Sequence, residues 1–331
     1  MQRIILIICF FMVQLGVKAQ FAPQAKVAGT TAEDMSSGKF TGWATGCTVS
    51  RGYLDVADPS LGKVSLGNDV DATGEPDNVI VSLGDSGVAT LTFASPIYNG
   101  QGADFAVFEN GFANPSNPEE AFLELAFVEV SSDGVNYTRF KPTSLSDEAV
   151  QVPAAGVYMN ARLINNLAGK YIRGYGTPFD LQELAGTAGL DINNITHVRI
   201  VDVIGSISGH ETYDKDGHKI NDPYPTNFNG GGFDLDGVGA FYQHGLFPMS
   251  VNEIAASPVK IYPNPTTDKV FVQAAFDNGY TIMLTDIAGR ILQPNIVVNN
   301  YIDLSTYKPG IYALVVMDAN GKKWVERITR L

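Results

Sequence analysis

The chain has 331 residues, a formal net charge of −13, 45% hydrophobic residues and 34 glycines. An acidic balance with no Lys/Arg cluster among interleaved aromatics repels phosphate backbones and anionic lipid, and so excludes nucleic acid as a partner. Enough apolar residues for sizeable cores, combined with many glycines for tight turns, favours β-sandwiches over helix bundles.

Taken in chain order, Met1–Ala19 carries a basic Arg3, an apolar run from Ile4 to Val13 and the small-residue close Val17-Lys18-Ala19. This is the pattern of a secretory signal peptide, with a mature chain expected to start near Gln20. The run falls short of the roughly twenty apolar residues that a membrane span needs. No later segment reaches that length, so no transmembrane segment is expected. Cys9 lacks the small residues of a lipoprotein anchor. Cys47, the remaining cysteine, reads as a small buried apolar residue.

Residues 20–248 read as one large all-β domain. Strand candidates are Val79–Leu83, Val88–Phe93, Asp104–Glu109, Leu123–Ser131, Arg139–Phe140, Tyr171–Ile172, His197–Val203 and Val238–Tyr242, while only Glu119–Leu125 and Leu181–Ala188 read as helical. Gly84-Asp85-Ser86-Gly87 looks like a protease nucleophile segment, but no histidine precedes it and it reads as a glycine turn. Phe105, Val107 and Glu109 share one face, because side chains alternate along a strand. "VEVSSDGVNYTRF" (Val128–Phe140) and "THVRIVDV" (Thr196–Val203) loosely resemble the jelly-roll, galactose-binding-like sandwiches of extracellular carbohydrate-binding modules. The resemblance implies a fold more than an activity.

The chemistry concentrates in Asp202–Gly239. Asp214, Asp216, Asn221, Asp222, Asp234 and Asp236 offer hard oxygen ligands among glycines, and Ca²⁺ takes about six to eight such ligands on flexible loops. A structural Ca²⁺ is therefore expected. The segment is not an EF-hand, since Gly217 comes too early and no Glu closes the loop. A second acidic group, Asp69, Asp71, Glu75, Asp77 and Asn78, offers further ligands. The same residues also make simple Asx-turns. His210 and His218 lack any zinc spacing. Glu109, Glu124, Glu129 and Asp202 are the carboxylates a glycosidase would draw on, and are read by preference as solvent-facing. Gly205–Gly209 has Ile207 where a nucleophile elbow needs Ser, and no catalytic set emerges.

Aromatic residues in Gly/Pro/Asn-rich segments point towards binding. Tyr175, Tyr213, Tyr224 and Phe228 are the ligand-binding candidates, since flat rings stack on sugar C–H faces while neighbouring Asp and Asn take the hydroxyls. Tyr171, Phe179 and Phe233 lie in similar segments. Loop aromatics also plug sandwich ends, and Trp43 suits either purpose.

After a linker over residues 249–258, Val259–Leu331 alternates short apolar runs with Asn, Gly and Pro turns, the pattern of a small Ig-like β-sandwich. "YPNP" (Tyr262–Pro265), "DIAGR" (Asp286–Arg290), "DLSTYKPGIY" (Asp303–Tyr312) and the closing "KKWVERITRL" (Lys322–Leu331) resemble the C-terminal sorting domain of type IX secretion substrates in Bacteroidetes. That resemblance implies recognition by the outer-membrane secretion machinery, removal on export, and release or attachment at the surface. The resulting reading is a secreted or surface-attached protein whose Ca²⁺-stabilised sandwich binds a glycan or small nutrient. A metal- or carboxylate-dependent polysaccharide hydrolase and a structural adhesion component are the alternatives.

Overall fold

The computed structural model describes residues 21–244, 259–274, 280–286, 290–296, 301–318 and 323–331. The expected signal peptide, Cys9, the expected linker and the centre of the Asp286–Arg290 motif lie outside these. The described residues are almost entirely strand, turn and short 3₁₀ helix, and none of their helices is long and apolar enough to cross a membrane.

One long antiparallel sheet dominates residues 21–244. Its strand order is Glu33–Asp34, Tyr175–Phe179, Phe105–Glu109, Asp234–Ala240, Gly42–Ser50, Val88–Ile97, Ile195–Asp202, Ala126–Ser131 and Thr138–Arg139, with Val81–Ser82 added beside Asp234–Ala240. The sheet folds over at Gly42–Ser50. Gly42 and Trp43 pair with Ala240 and Gly239, whereas Ala44 to Ser50 pair with Phe93 to Val88. The strand thus belongs to both halves, and the two halves close on one core. Phe105, Val107, Leu235 and Val238 from one side pack with Leu91, Val128, Val198 and Ile200 from the other. This is the two-layer all-β architecture expected, with its layers joined through a shared strand.

Gly42–Ser50 is missing from the strand candidates because its residues are small and mixed. The close approach to Val88–Ile97 is the reason for one of them: a Cβ on Gly46 would lie 2.6 Å from the Thr92 hydroxyl. Cys47 packs partly buried against the core, and burial pushes its thiol up to about 12. Expected from the sequence to be buried, the cysteine is half-buried and packs as a small apolar side chain.

Two outer clusters flank the central core. Phe40, Phe108 and Phe241 form one with Trp43, and Leu123, Leu125, Phe127 and Ile220 form the other. Covering both faces removes the alternation of polar and apolar residues, which is why Phe105–Glu109 is buried at every position. The two helical readings are corrected. Asn117–Phe122 is a strand, since pairing with Phe112–Asn114 and Met159–Asn160 overrides weak local propensity, and Leu181–Leu184 is a single 3₁₀ turn capped by Asp180.

The C-terminal segment is a second, smaller sandwich. Val259–Tyr262, Lys269–Ala274 and Tyr301–Asp303 form one sheet, and Ile291–Ile296, Tyr280–Asp286, Gly310–Asp318 and Lys323–Arg330 the other. Val270, Ile302, Leu284, Leu314 and Ile328 fill the space between them. The asparagine of the Tyr262–Pro265 motif ties the sheets together: Asn264 Nδ2 donates to Arg327 O at 2.6 Å, and Thr329 N donates to Asn264 Oδ1 at 2.9 Å.

Candidate functional site: a buried carboxylate cluster and a neighbouring cleft

Strand parity explains where the acidic residues go. Phe105 and Val107 face the core, and Glu109 continues that face at the strand's end. Val198 and Ile200 lead in the same way to Asp202. Ala126, Val128 and Val130, read backwards, lead to Glu124. Since Asp202 pairs with Ala126, these series finish at the same end of the sandwich. Asp222 arrives from a loop, its carboxylate accepting hydrogen bonds from Leu125 N at 3.1 and 3.2 Å. Asp234 arrives beside Glu109, whose strand partner is Leu235.

The preferred solvent-facing reading of Glu109, Glu124, Glu129 and Asp202 is therefore corrected. All four are buried, Glu109, Glu124 and Asp202 at the core-facing strand ends and Glu129 beneath two arginines on the other face. Glu129 alone has cationic partners, lying on the opposite strand face between Arg139 (2.7 Å) and Arg199.

The other carboxylates face one another. Burial pushes Glu109 and Glu124 well above the ordinary carboxylate range, and the nearby Asp234 adds to both shifts. Glu124 also feels Glu109, Asp222 and Asp202. Burial raises Asp202 and Asp222 in the same direction, and Asp234 to about 6. Hydrogen bonding is uneven across the group. Asp202 accepts from Phe233 N at 2.8 Å and Ser86 N at 3.1 Å, and Asp234 accepts from Asn110 Nδ2 at 2.9 Å and from the Ser82 hydroxyl. Glu109 Oε2 accepts from Gly111 N at 2.8 Å, but its Oε1 is buried with no hydrogen-bond partner. The backbone closes tightly here as well. Gly169 has φ +79°, and a Cβ on it would fall 1.7 Å from Glu124 O.

The six residues expected to hold Ca²⁺ are distributed over four places. Asp214, Asp216 and His218 are, among the described residues, the group whose ligand atoms lie within 4.8 Å of one another. There the Asp214 carboxylate already accepts from Asp216 N (2.9 Å), His218 N (2.9 Å), Ser144 N (3.0 Å) and His218 Nδ1 (3.2 Å). Burial acts to raise Asp214, but these bonds prevail and hold it below its ordinary value. Asp236 accepts from Asp77 N at 3.1 Å and Asn78 N at 3.2 Å, so the second acidic group meets the first through backbone donors. Asp222 and Asp234 join the buried cluster.

Asn221 has a different task. Its Nδ2 donates to Asp147 O (2.6 Å) and Val150 O (2.7 Å), and its Oδ1 accepts from Val152 N (2.9 Å) and Gln151 Nε2 (3.0 Å). It pins the segment Ser146–Pro153 as one wall of a cleft of about 610 Å³, whose other wall is Glu120 and Val157–Asn160. Val150 and Val157 are exposed at this cleft. Tyr158, also lining it, stands edge-on to the exposed Phe112 at 6.3 Å, and Phe112 stacks on Phe122 at 4.9 Å.

The aromatic candidates are dispersed. Tyr213 and Phe228 are exposed, Tyr224 donates to Asp55 Oδ1 at 2.9 Å, and Tyr175 lies on the strand beside Glu33–Asp34 with Lys26 over its ring. No ring contact among the described residues joins them. Tyr171, Phe179 and Phe233 are core residues. Sequence reasoning passes over Tyr158 and Phe112, although their position between polar, Pro- and Gly-containing stretches is a usable signal.

Residues 260–329 match the family described as the secretion system C-terminal sorting domain. That segment is a type IX sorting domain, through which the chain engages the type IX machinery and is delivered to the cell surface or beyond. No curated protein matches the chain. Among solved structures it is similar to a beta-1,2-glucanase from Parabacteroides distasonis, with 10% identity and a TM-score of 0.26. The likeness covers 88% of this chain and 38% of that one, and at this TM-score it carries no argument about fold or activity.

Proposed function

We propose that residues 21–244 form a surface-delivered binding module that captures a glycan or another small nutrient in the cleft beside Tyr158. The observation that carries this reading is a cleft of about 610 Å³ in which exposed Val150 and Val157 and the ring of Tyr158 adjoin the polar side chains of Ser146, Asp147 and Asn160. Its size falls within the range of small-ligand sites, and the mixture suits a sugar ring, which offers apolar faces and a rim of hydroxyls. Export by type IX secretion supports it, since a nutrient-binding module works where the nutrient is.

The buried carboxylates Glu109, Glu124, Asp202, Asp222 and Asp234 do not line the cleft, whose acidic residues are Glu120 and Asp147. The test is retention of the full-length protein on a panel of immobilised polysaccharides, repeated with Tyr158→Ala and Val157→Asp. Selective retention lost in both variants is expected. Equal retention of wild type and variants would remove the cleft from consideration, and release of soluble sugar would favour a hydrolase, with Glu120 and Asp147 the next residues to change.

A further inference from the structure

We propose that Glu109 and Glu124 share a divalent cation, Ca²⁺ by the chemistry of the donors, at the closed end of the central core. The inference is independent of what occupies the cleft.

Five acidic side chains converge there, and two of them stand apart: Glu109 has one buried oxygen without a partner, and Glu124 has only acids acting on it. Glu109 is 1% exposed and its Oε1 has no hydrogen-bond partner. Glu124 is 4% exposed, and the charged groups that act most strongly on it, Asp234, Glu109, Asp222 and Asp202, are all acidic. Leaving a buried polar oxygen unmatched is costly, and leaving an unpaired buried carboxylate costs more. The buried group that does have cations, Glu129, shows how the same fold pairs an acid when arginine is at hand. No Lys or Arg appears among the groups acting on Glu109 or Glu124.

The donor set decides the ion. It consists of carboxylates with no histidine or cysteine, which selects a hard cation over zinc or copper. No three of the cluster's carboxylates bring oxygens within 4.8 Å of one another, so the ion draws on two carboxylates directly and completes its shell with carbonyl oxygen and water. Irregular, partly hydrated coordination suits Ca²⁺ better than Mg²⁺, which demands a near-octahedral shell. Asp202, Asp222 and Asp234, already hydrogen-bonded, supply surrounding negative charge.

The experiment uses the full-length protein, stripped with chelator and dialysed, with CaCl₂ alone as the probe. Calorimetry is expected to show saturable Ca²⁺ binding, and the melting temperature of the large domain to rise by several degrees in millimolar Ca²⁺. Glu109→Gln and Glu124→Gln keep side-chain shape and remove charge. Each is expected to lose at least tenfold in Ca²⁺ affinity and to melt in chelator at or above the wild-type temperature, because repulsion is relieved. Asp216→Asn, in the hydrogen-bonded turn, is expected to keep the full response. A stripped wild type that melts identically with and without Ca²⁺ would overturn the proposal. So would a wild-type response in both Gln variants, or a response lost only in Asp216→Asn.

Discussion

Asn221 Nδ2 donates to the carbonyl oxygen of Val150 at 2.7 Å, and that bond is one of four by which a single buried amide holds the Ser146–Pro153 wall of the cleft. Replacing the side chain by Ala leaves two carbonyls and the Val152 N–H to find water. Asn221→Ala is expected to destabilise the large domain by about 2–4 kcal/mol, measured by urea unfolding, and to speed amide exchange at Val152. Unchanged exchange there would mean that the wall is held by other contacts.

Lys170 is buried, with its ammonium over the rings of Tyr171 (5.4 Å) and Phe21 (5.9 Å), and burial pulls it down to about 8. Its folded value lies below the unfolded 10.5. The associated stability is therefore present above about 10.5 and is lost as pH falls through about 8. Lys170→Met is expected to stabilise the domain at pH 7 by about 1–3 kcal/mol. Between pH 8 and 10 the advantage should shrink, as read by chemical denaturation at each pH.

Asp104 behaves in the opposite sense. Burial raises it to about 6, although Gly100 N (2.6 Å) and Leu181 N (2.7 Å) donate to its oxygens and act to lower it. A carboxyl raised in the fold contributes stability that is complete below the unfolded value near 3.8 and is lost as pH rises through about 6. Relative to Asp104→Asn, the wild type is expected to gain about 2–3 kcal/mol between pH 7 and pH 4. Parallel pH profiles for the two proteins would contradict this.

In the sorting domain, Asn264 bonds the backbone of Lys323–Arg330 from the far sheet. Deleting residues 260–329 is expected to hold the protein inside the outer membrane, and Asn264→Ala to reduce export without abolishing it. Immunoblots of cell fractions and culture medium provide the readout. Full export of the deletion variant would mean that delivery does not depend on this domain.

Legibility follows local pattern. Ile195–Asp202 is visible in the sequence because Val198 and Ile200 alternate with polar residues, and the sorting domain because its turns carry Gly, Asn and Pro between regular runs. Tyr175–Phe179 escapes because Pro178 argues against a strand, and Gly42–Ser50 because close packing selects small residues. The buried carboxylates are half legible. Parity along each strand places Glu109 with Phe105 and Val107, and the same count places Asp202 with Val198 and Ile200. That these strand ends meet, with Glu124 beside Asp222 and Asp234, depends on pairings between distant parts of the chain that no local window contains.

The partner change along Gly42–Ser50 also bears on how the domain is completed. Thr41 meets Ala240, 199 residues later, through backbone and hydroxyl bonds. Contacts at such separation must overcome a large loop-closure entropy before they contribute, which slows folding. The half of the sheet that holds Asp234–Ala240 is not finished until nearly the whole domain has been made. A chain of this topology leaves the ribosome with its core unsealed, and its last strand acts as the latch.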